Sequence, residues 1–174
     1  AVFGLHLWSA MNTGAIGYRE GSLMAASELF KLVVKGRQTH GSRPWGGVDP
    51  IVTASQIVLA LQTIVSRQVN ITEYPAVVSV GAIKGGIRNN IIPESVEMIG
   101  TFRTFDPAVR EQVIESIKHI SSQTAAAAGA TTVFGNCEGD FLVQTPPTAQ
   151  NFPFGHPALT AVLLAAIVRG YSGF

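Results

Sequence analysis

Cysteine and charge are both scarce in this sequence, and each shortage excludes a class of protein. One cysteine, Cys137, among 174 residues excludes an internal disulfide and a Cys-x-x-Cys metal site, and it favours a reducing compartment. We therefore expect a cytoplasmic protein. Charged residues make up only 13% of the chain, the net charge is +1, and the twelve Lys and Arg are scattered. Because no basic stripe is present, nucleic acid is not expected as a partner.

Long hydrophobic runs are missing as well. The apolar stretch 158–168 is too short to span a bilayer, and the first residues lack the basic start and the apolar core of a signal peptide. No membrane partner is therefore expected. Because the sequence starts without Met and in the middle of a pattern, we expect it to be a fragment of a longer protein. Its high apolar share, 47%, predicts surface that something else covers.

Two strands and a helix are predicted in the first half of the chain. Apolar and polar residues alternate over 28–35, which predicts a strand. Its inward face would comprise Phe30, Leu32 and Val34. Asp49 and Pro50 form a cap and first-turn signal for a helix over 50–68, and a β-branched run over 76–83 predicts the next strand. The apolar stripe of the helix would comprise Ile51, Ala54, Val58, Leu61 and Val65.

The second half repeats this pattern. Residues 95–105 alternate again and predict a strand antiparallel to its predecessor. Asp106 and Pro107 then start a second helix, which Gly129 ends, and 131–134 returns to strand residues. The apolar stripe of the second helix would comprise Val109, Val113, Ile117 and Ile120.

The predicted order of elements is strand, helix, strand, strand, helix, strand. That order is typical of the α+β ferredoxin-like βαββαβ fold, in which two helices cover one face of a four-stranded antiparallel sheet. We predict this domain over 25–150, inserted between two flanks of a larger domain, 1–24 and 151–174. Within the second flank, 157–169 is predicted as a third helix.

Two histidines stand out as candidate functional residues. His40 lies in a loop rich in glycine and polar residues, which suits the binding of an anionic or carbonyl-bearing small molecule. The alternative is a loop before a helix whose histidine bonds only to backbone. His6 ends a short apolar run, where it is either a ligand at a strand end or a core histidine. No His-Glu-x-x-His motif and no local cluster of acids and histidines accompanies them.

Six ordered motifs give the chain a resemblance to a known family. They are Phe3-Gly4-Leu5-His6-Leu7, 21–26, Gly36-x-x-x-His40-Gly41-x-x-Pro44 with 48–51, 61–67, Asn89-Asn90-Ile91-Ile92-Pro93 and Gly100-Thr101-Phe102-Arg103. From residue 1 to about 151, the chain resembles the aminoacylase, hippurate hydrolase and auxin-conjugate hydrolase family of metallopeptidases. The resemblance is to the inserted satellite domain, which serves dimerisation, with short flanks of the catalytic domain.

The resemblance implies roles for four residues. His6 matches a histidine that binds metal in a catalytic domain holding two zinc or manganese ions. His40 matches a satellite histidine that enters the partner subunit's active site and polarises the scissile carbonyl. Asn90 and Arg103 match positions that hold the substrate's carboxylate. A homodimer formed through the satellite domain and an N-acyl amino acid substrate are implied by the same resemblance.

Other parts of the family pattern are missing from this sequence. They are a Cys-Gly-His-Asp segment, the paired glutamates that supply the general base and a metal ligand, and a C-terminal histidine. Since a catalytic ion needs about three protein ligands, the fragment is expected to hold no cofactor and to be catalytically silent. Trp45 stands where many relatives carry histidine, which would narrow the pocket or favour apolar acyl groups. The alternative function is a stand-alone ferredoxin-like module for interaction or ligand sensing.

Overall fold

The structure is a computed structural model that describes residues 4–6, 10, 12, 14–17, 25–136 and 162–165. By contacts between Cα atoms, the chain divides into two compact units. The larger unit is 26–147, and the smaller unit is 1–25 together with 148–174. The assignment of the smaller unit to a catalytic domain stays a prediction.

The described strands and helices are named here in chain order. The strands are β1 (Gly4–His6), β2 (Ile16–Gly17), β3 (Ala26–Lys35), β4 (Thr39–His40), β5 (Ala76–Gly85), β6 (Ile91–Ile92), β7 (Ser95–Thr104), β8 (Thr131–Asn136) and β9 (Val162–Ala165). The helices are α1 (Pro50–Thr63) and α2 (Pro107–Ala127). A 3₁₀ turn at Pro44–Gly46 precedes α1, and a π-helical turn at Ile64–Gln68 continues it.

The larger unit has the predicted ferredoxin-like fold. Its main sheet has the order β5-β7-β3-β8 with every neighbour antiparallel. Both helices pack on one face of this sheet, where their apolar residues join those of the strands in a single core. The prediction of an α+β fold with a four-stranded antiparallel sheet and two helices is confirmed.

Strand alternation correctly predicted which side chains enter the core. Phe30, Leu32 and Val34 of β3 are each 0% exposed, and Met98 and Phe102 of β7 meet them from the neighbouring strand. Gly100 pairs with Phe30 across the sheet, and a Cβ at position 100 would collide with the Phe30 ring and with the carbonyl of Ser79. Glycine is therefore needed where the largest core ring crosses β7.

The start signals of both helices are confirmed. Asp49 accepts hydrogen bonds from the amides of Ile51 and Val52, and Asp106 does the same for α2. In the predicted apolar stripe of α2, Val109, Val113 and Ile117 are buried and Ile120 is partly buried against the core, and Gly129 ends that helix with a φ of +73°.

The predicted stripe of α1 is wrong in part. Ile51 is 43% exposed, while Val58 and Val65 are only partly buried. The buried face comprises Pro50, Thr53, Ala54, Ile57 and Leu61. Because α1 is apolar on most sides, its sequence allows two stripes, and packing on the sheet selects one of them. Thr53 is tolerated in the core because its hydroxyl donates to the carbonyl of Asp49 at 2.7 Å.

The smaller unit contains a three-stranded sheet of order β1-β9-β2, with β9 parallel to β1. The prediction of a helix over 157–169 is therefore wrong for 162–165, and the rest of that range lies outside the described residues. A short continuous apolar run is compatible with a buried parallel strand or a helix. Pairing with β1 makes 162–165 a strand. Among the described residues, no helix has the length and hydropathy to cross a membrane.

Candidate functional site

A small two-stranded ribbon brings together two loops at one end of the main sheet. Thr39 and His40 of β4 pair with Ile92 and Ile91 of β6. The amide of Gly41 donates to the carbonyl of Asn90 at 2.7 Å, which extends this pairing by one residue. His40 and Asn90 are 50 positions apart in the sequence, and this pairing brings their backbones next to each other.

Close backbone approach holds the loop before α1 in place. The amide of Gly36 donates a hydrogen bond to the backbone carbonyl of Glu94 at 2.8 Å. Arg37 and Val48 exchange backbone hydrogen bonds at 2.9 and 3.0 Å. A Cβ at Gly36 would collide with the Val48 carbonyl, so glycine is required for this closure. The loop that carries His40 is therefore anchored at both of its ends.

The imidazole of His40 is exposed and is bonded at only one of its nitrogens. Nδ1 lies 3.2 Å from the backbone nitrogen of Ser42 and 2.7 Å from the Ser42 hydroxyl. The described residues give Nε2 no hydrogen-bond partner. Within this part of the chain, the Nε2 side of the ring is open, which is the arrangement expected for binding a ligand. The Nδ1 side is bonded to the backbone, which is the alternative arrangement.

Open cavities adjoin the ribbon. One of about 340 Å³ is lined by Gln38, Thr39, His40 and Ile91. Another of about 580 Å³ is lined by residues of the two loops and of the first turn of α1, including Pro44, Ile51, Ile87 and Arg88. Ile87 is 97% exposed and Trp45 is 79% exposed. Sequence reasoning missed Ile87, whose apolar side chain between Gly86 and Arg88 was the available signal.

Arg103 lies at the other end of the same sheet. Asn90 precedes β7, which begins at Ser95. Arg103 stands eight residues after Ser95 on that strand. Eight strand residues, at about 3.4 Å per residue, span roughly 27 Å. The structure therefore brings His40 and Asn90 together and keeps Arg103 apart from both.

A hydrogen-bond chain fixes the Arg103 guanidinium. Its Nη1 donates to Thr101 Oγ1 at 2.7 Å and to the Phe102 carbonyl at 3.2 Å. Thr101 in turn donates its own hydroxyl hydrogen to the carbonyl of Glu28 at 2.6 Å. Within residues 25–136, no carboxylate forms an ion pair with Arg103.

The nearby carboxylate of Glu28 is engaged elsewhere. It forms a two-pronged ion pair with Arg110 of α2, in which Nη2 lies 2.8 Å from Oε2 and Nε contacts Oε1. The hydrogen bond to Glu28 raises the pKa of Arg110 above its ordinary value, so this cation stays charged at any physiological pH. Because Arg110 occupies the Glu28 carboxylate, this carboxylate does not pair with Arg103.

Metal ligands do not assemble in the described part of the chain. No group of three or more His, Cys, Asp or Glu side chains there could hold an ion. His6 is the last residue of β1 and pairs with Leu164, which agrees with its predicted place at a strand end. Its role as a metal ligand stays a prediction.

The comparison with known proteins identifies the family. A family model described as a peptidase dimerisation domain matches residues 24–128. The chain belongs to the dimerisation-domain family of the M20 peptidases. The resemblance inferred from the sequence motifs is thereby confirmed.

Named relatives of this dimerisation domain are hydrolases. An N-acetyl-L-cysteine deacetylase from Bacillus subtilis is 45% identical over 127 residues, which are 73% of this chain and 30% of that protein. The IAA-amino acid hydrolase ILR1-like 5 from Arabidopsis thaliana is 36% identical, over 84% of this chain and 33% of that protein. The chain thus spans about a third of the length of the curated relatives it matches.

A solved structure supports the same assignment. It is a dinuclear metal binding peptidase of the M20 family from Bacillus subtilis, with 34% identity and a TM-score of 0.57. The match covers 76% of this chain and 31% of that one.

Proposed function

We propose that this chain is the dimerisation domain of a longer metal-dependent hydrolase that cleaves the amide bond of N-acyl amino acids or related amides. The partial coverage of each relative supports a longer protein, and the relatives' names support hydrolysis of amides. Since the described residues build no metal cluster, the domain alone is proposed to have no turnover. Two zinc or manganese ions are proposed for the longer protein, with His6 as one ligand.

The observation that carries this proposal is the separation of Arg103, on β7, from the ribbon that carries His40 and Asn90. In an N-acyl amino acid, only the nitrogen and Cα lie between the scissile carbonyl and the carboxylate. Such a substrate is far too short to contact His40 and Arg103 of one subunit at once, because Arg103 lies roughly 27 Å along β7 from Ser95, the strand end next to the ribbon that carries His40. Each subunit would therefore serve two active sites with the two ends of its sheet.

Within one composite site, each group has a chemical task. His40 and Asn90 of one subunit enter the site of the partner subunit, where the imidazole N–H donates to the carbonyl oxygen that gains negative charge. Arg103 belongs to the other subunit, and its planar guanidinium binds both oxygens of the substrate carboxylate. The site is complete only in a dimer.

The exposed apolar side chains support one position for the second copy. β5 is an edge strand with Val77 52% exposed, and α1, which connects β3 to β5, presents Val52 and Leu59 at 54% and 72% exposure. An unpaired edge beside apolar side chains is suited to strand pairing between two copies. We assign the homodimer contact to this edge.

The test is hydrolysis by the longer protein. Supplied with zinc or manganese, it should release amino acid from N-acetyl or N-benzoyl amino acids, while the 174-residue chain under the same conditions should release none. Absence of hydrolysis by the longer protein would overturn the proposal and favour the stand-alone module. Turnover by the chain itself would show that the missing ligands were misjudged.

A further inference from the structure

The contacts of Ser42 determine which nitrogen of His40 can carry the proton. The backbone N–H of Ser42 points at Nδ1 at 3.2 Å, and a backbone N–H can only donate. Nδ1 must therefore accept, so a neutral imidazole in this geometry carries its hydrogen on Nε2. The Ser42 hydroxyl, 2.7 Å from the same nitrogen, can rotate to donate in the same direction.

We propose that Ser42 is a positioning residue that holds His40 as the Nε2–H tautomer and sets the direction of its ring. The imidazole is exposed, and Ser42 supplies the only hydrogen bonds that the described residues make to it. No packing or second partner in that part of the chain would replace this restraint. The orientation of His40 therefore depends on a residue two positions along the same loop.

The catalytic consequence rests on the function proposed above. A carbonyl oxygen needs a donor, and Nε2–H provides one, whereas a lone pair at that position would repel the developing negative charge. The same tautomer prevents His40 from acting as a general base through Nε2, because that nitrogen already holds its proton. Ser42 thus makes His40 a stabiliser of the oxyanion.

The tautomer can be measured in this chain without substrate or metal. Imidazole nitrogen shifts of the ¹⁵N-histidine-labelled chain, recorded at alkaline pH and assigned with His40→Gln, should show Nδ1 unprotonated and Nε2 protonated. Ser42→Ala should raise the Nδ1–H population and Ser42→Thr should restore the wild-type signals. Ser55→Ala is the matched control, since the Ser55 hydroxyl bonds to the Ile51 carbonyl at 2.9 Å. A wild-type ring protonated on Nδ1 would overturn the proposal, and His40 signals unchanged in Ser42→Ala would overturn the role of the Ser42 side chain, since that variant keeps the backbone N–H and removes only the hydroxyl.

A second measurement uses the longer enzyme. Ser42→Ala should lower kcat by roughly three- to tenfold, the change expected from one hydrogen bond of ordinary net strength, with KM nearly unchanged. Ser42→Thr should recover most of kcat, and Ser55→Ala should leave it unaltered. A normal kcat in Ser42→Ala would refute the catalytic consequence. Because the ring signals are recorded without turnover, they can fail or succeed independently of the proposed hydrolase activity.

Discussion

Mixed dimers of two inactive variants of the longer enzyme provide the sharpest test of the composite site. One variant carries His40→Ala and the other carries Arg103→Ala, so each should be inactive as a homodimer. Arg103 lies near the end of the ten-residue strand β7, roughly 27 Å along that strand from Ser95, and His40 lies on the ribbon beyond the Ser95 end. In a mixed dimer, one active site would receive the intact His40 of one subunit and the intact Arg103 of the other.

The expected recovery follows from two-fold symmetry. Each mixed dimer contains one site with both residues intact and one site that lacks both, so mixed dimers should show about half of the wild-type activity per dimer. The two variants would be co-expressed with different affinity tags, and the mixed dimers would be isolated by purification on both tags in turn. Hydrolysis of an N-acyl amino acid would then be measured at saturating substrate.

His40→Ala paired with Asn90→Ala is the matched control. These residues lie side by side on one ribbon, so they should enter the same site from the same subunit. No site in such a mixed dimer would then be intact, and no activity should return. Recovery in this pair, or no recovery when His40→Ala is paired with Arg103→Ala, would refute the assignment of the two sheet ends to two sites.

Three further predictions concern residues that support the site or the fold. Thr101→Val removes the shorter of the two hydrogen bonds that hold the Arg103 guanidinium, so KM for a carboxylate substrate in the longer enzyme should rise by roughly tenfold, while Thr101→Ser should restore it. Gly100→Ala should lower the free energy of unfolding of this chain in urea by about 1–3 kcal/mol, since the new methyl group collides with Phe30; unchanged stability would contradict the packing described. Asp106→Ala should cost about 1 kcal/mol in the same assay through loss of the cap of α2, and Asp106→Asn should cost less.

The sequence was sufficient to predict the ferredoxin-like fold because its signals are local. Alternation along β3 and β7 depends on neighbouring residues of one strand, and the Asp-Pro pairs before both helices act within a single turn. These features need no knowledge of the rest of the chain. The errors arose where a distant partner decides, as for the buried face of α1 and for 162–165, which pairs with β1.

The candidate site was only partly predictable for a similar reason. The resemblance supplied His40, Asn90 and Arg103 by position, without any distance between them. The ribbon that joins the first two consists of strands only two residues long, too short to produce a periodic pattern. Its pairing depends on backbone hydrogen bonds between loops 50 positions apart, which no local rule could predict.

Under the proposed arrangement, the length of β7 sets the distance between the two groups that serve different active sites. A strand that pairs on both sides is a stiff spacer, and β7 pairs with β3 along its whole length and with β5 from Val96 to Thr104. It would hold the imidazole end and the guanidinium end at the separation between two active sites of a dimer. A change of one residue in the register between β7 and its neighbours would turn every core side chain of that strand outward, so the spacing cannot drift without loss of the fold. The same core that stabilises the domain would therefore also fix the distance between the two sites it serves.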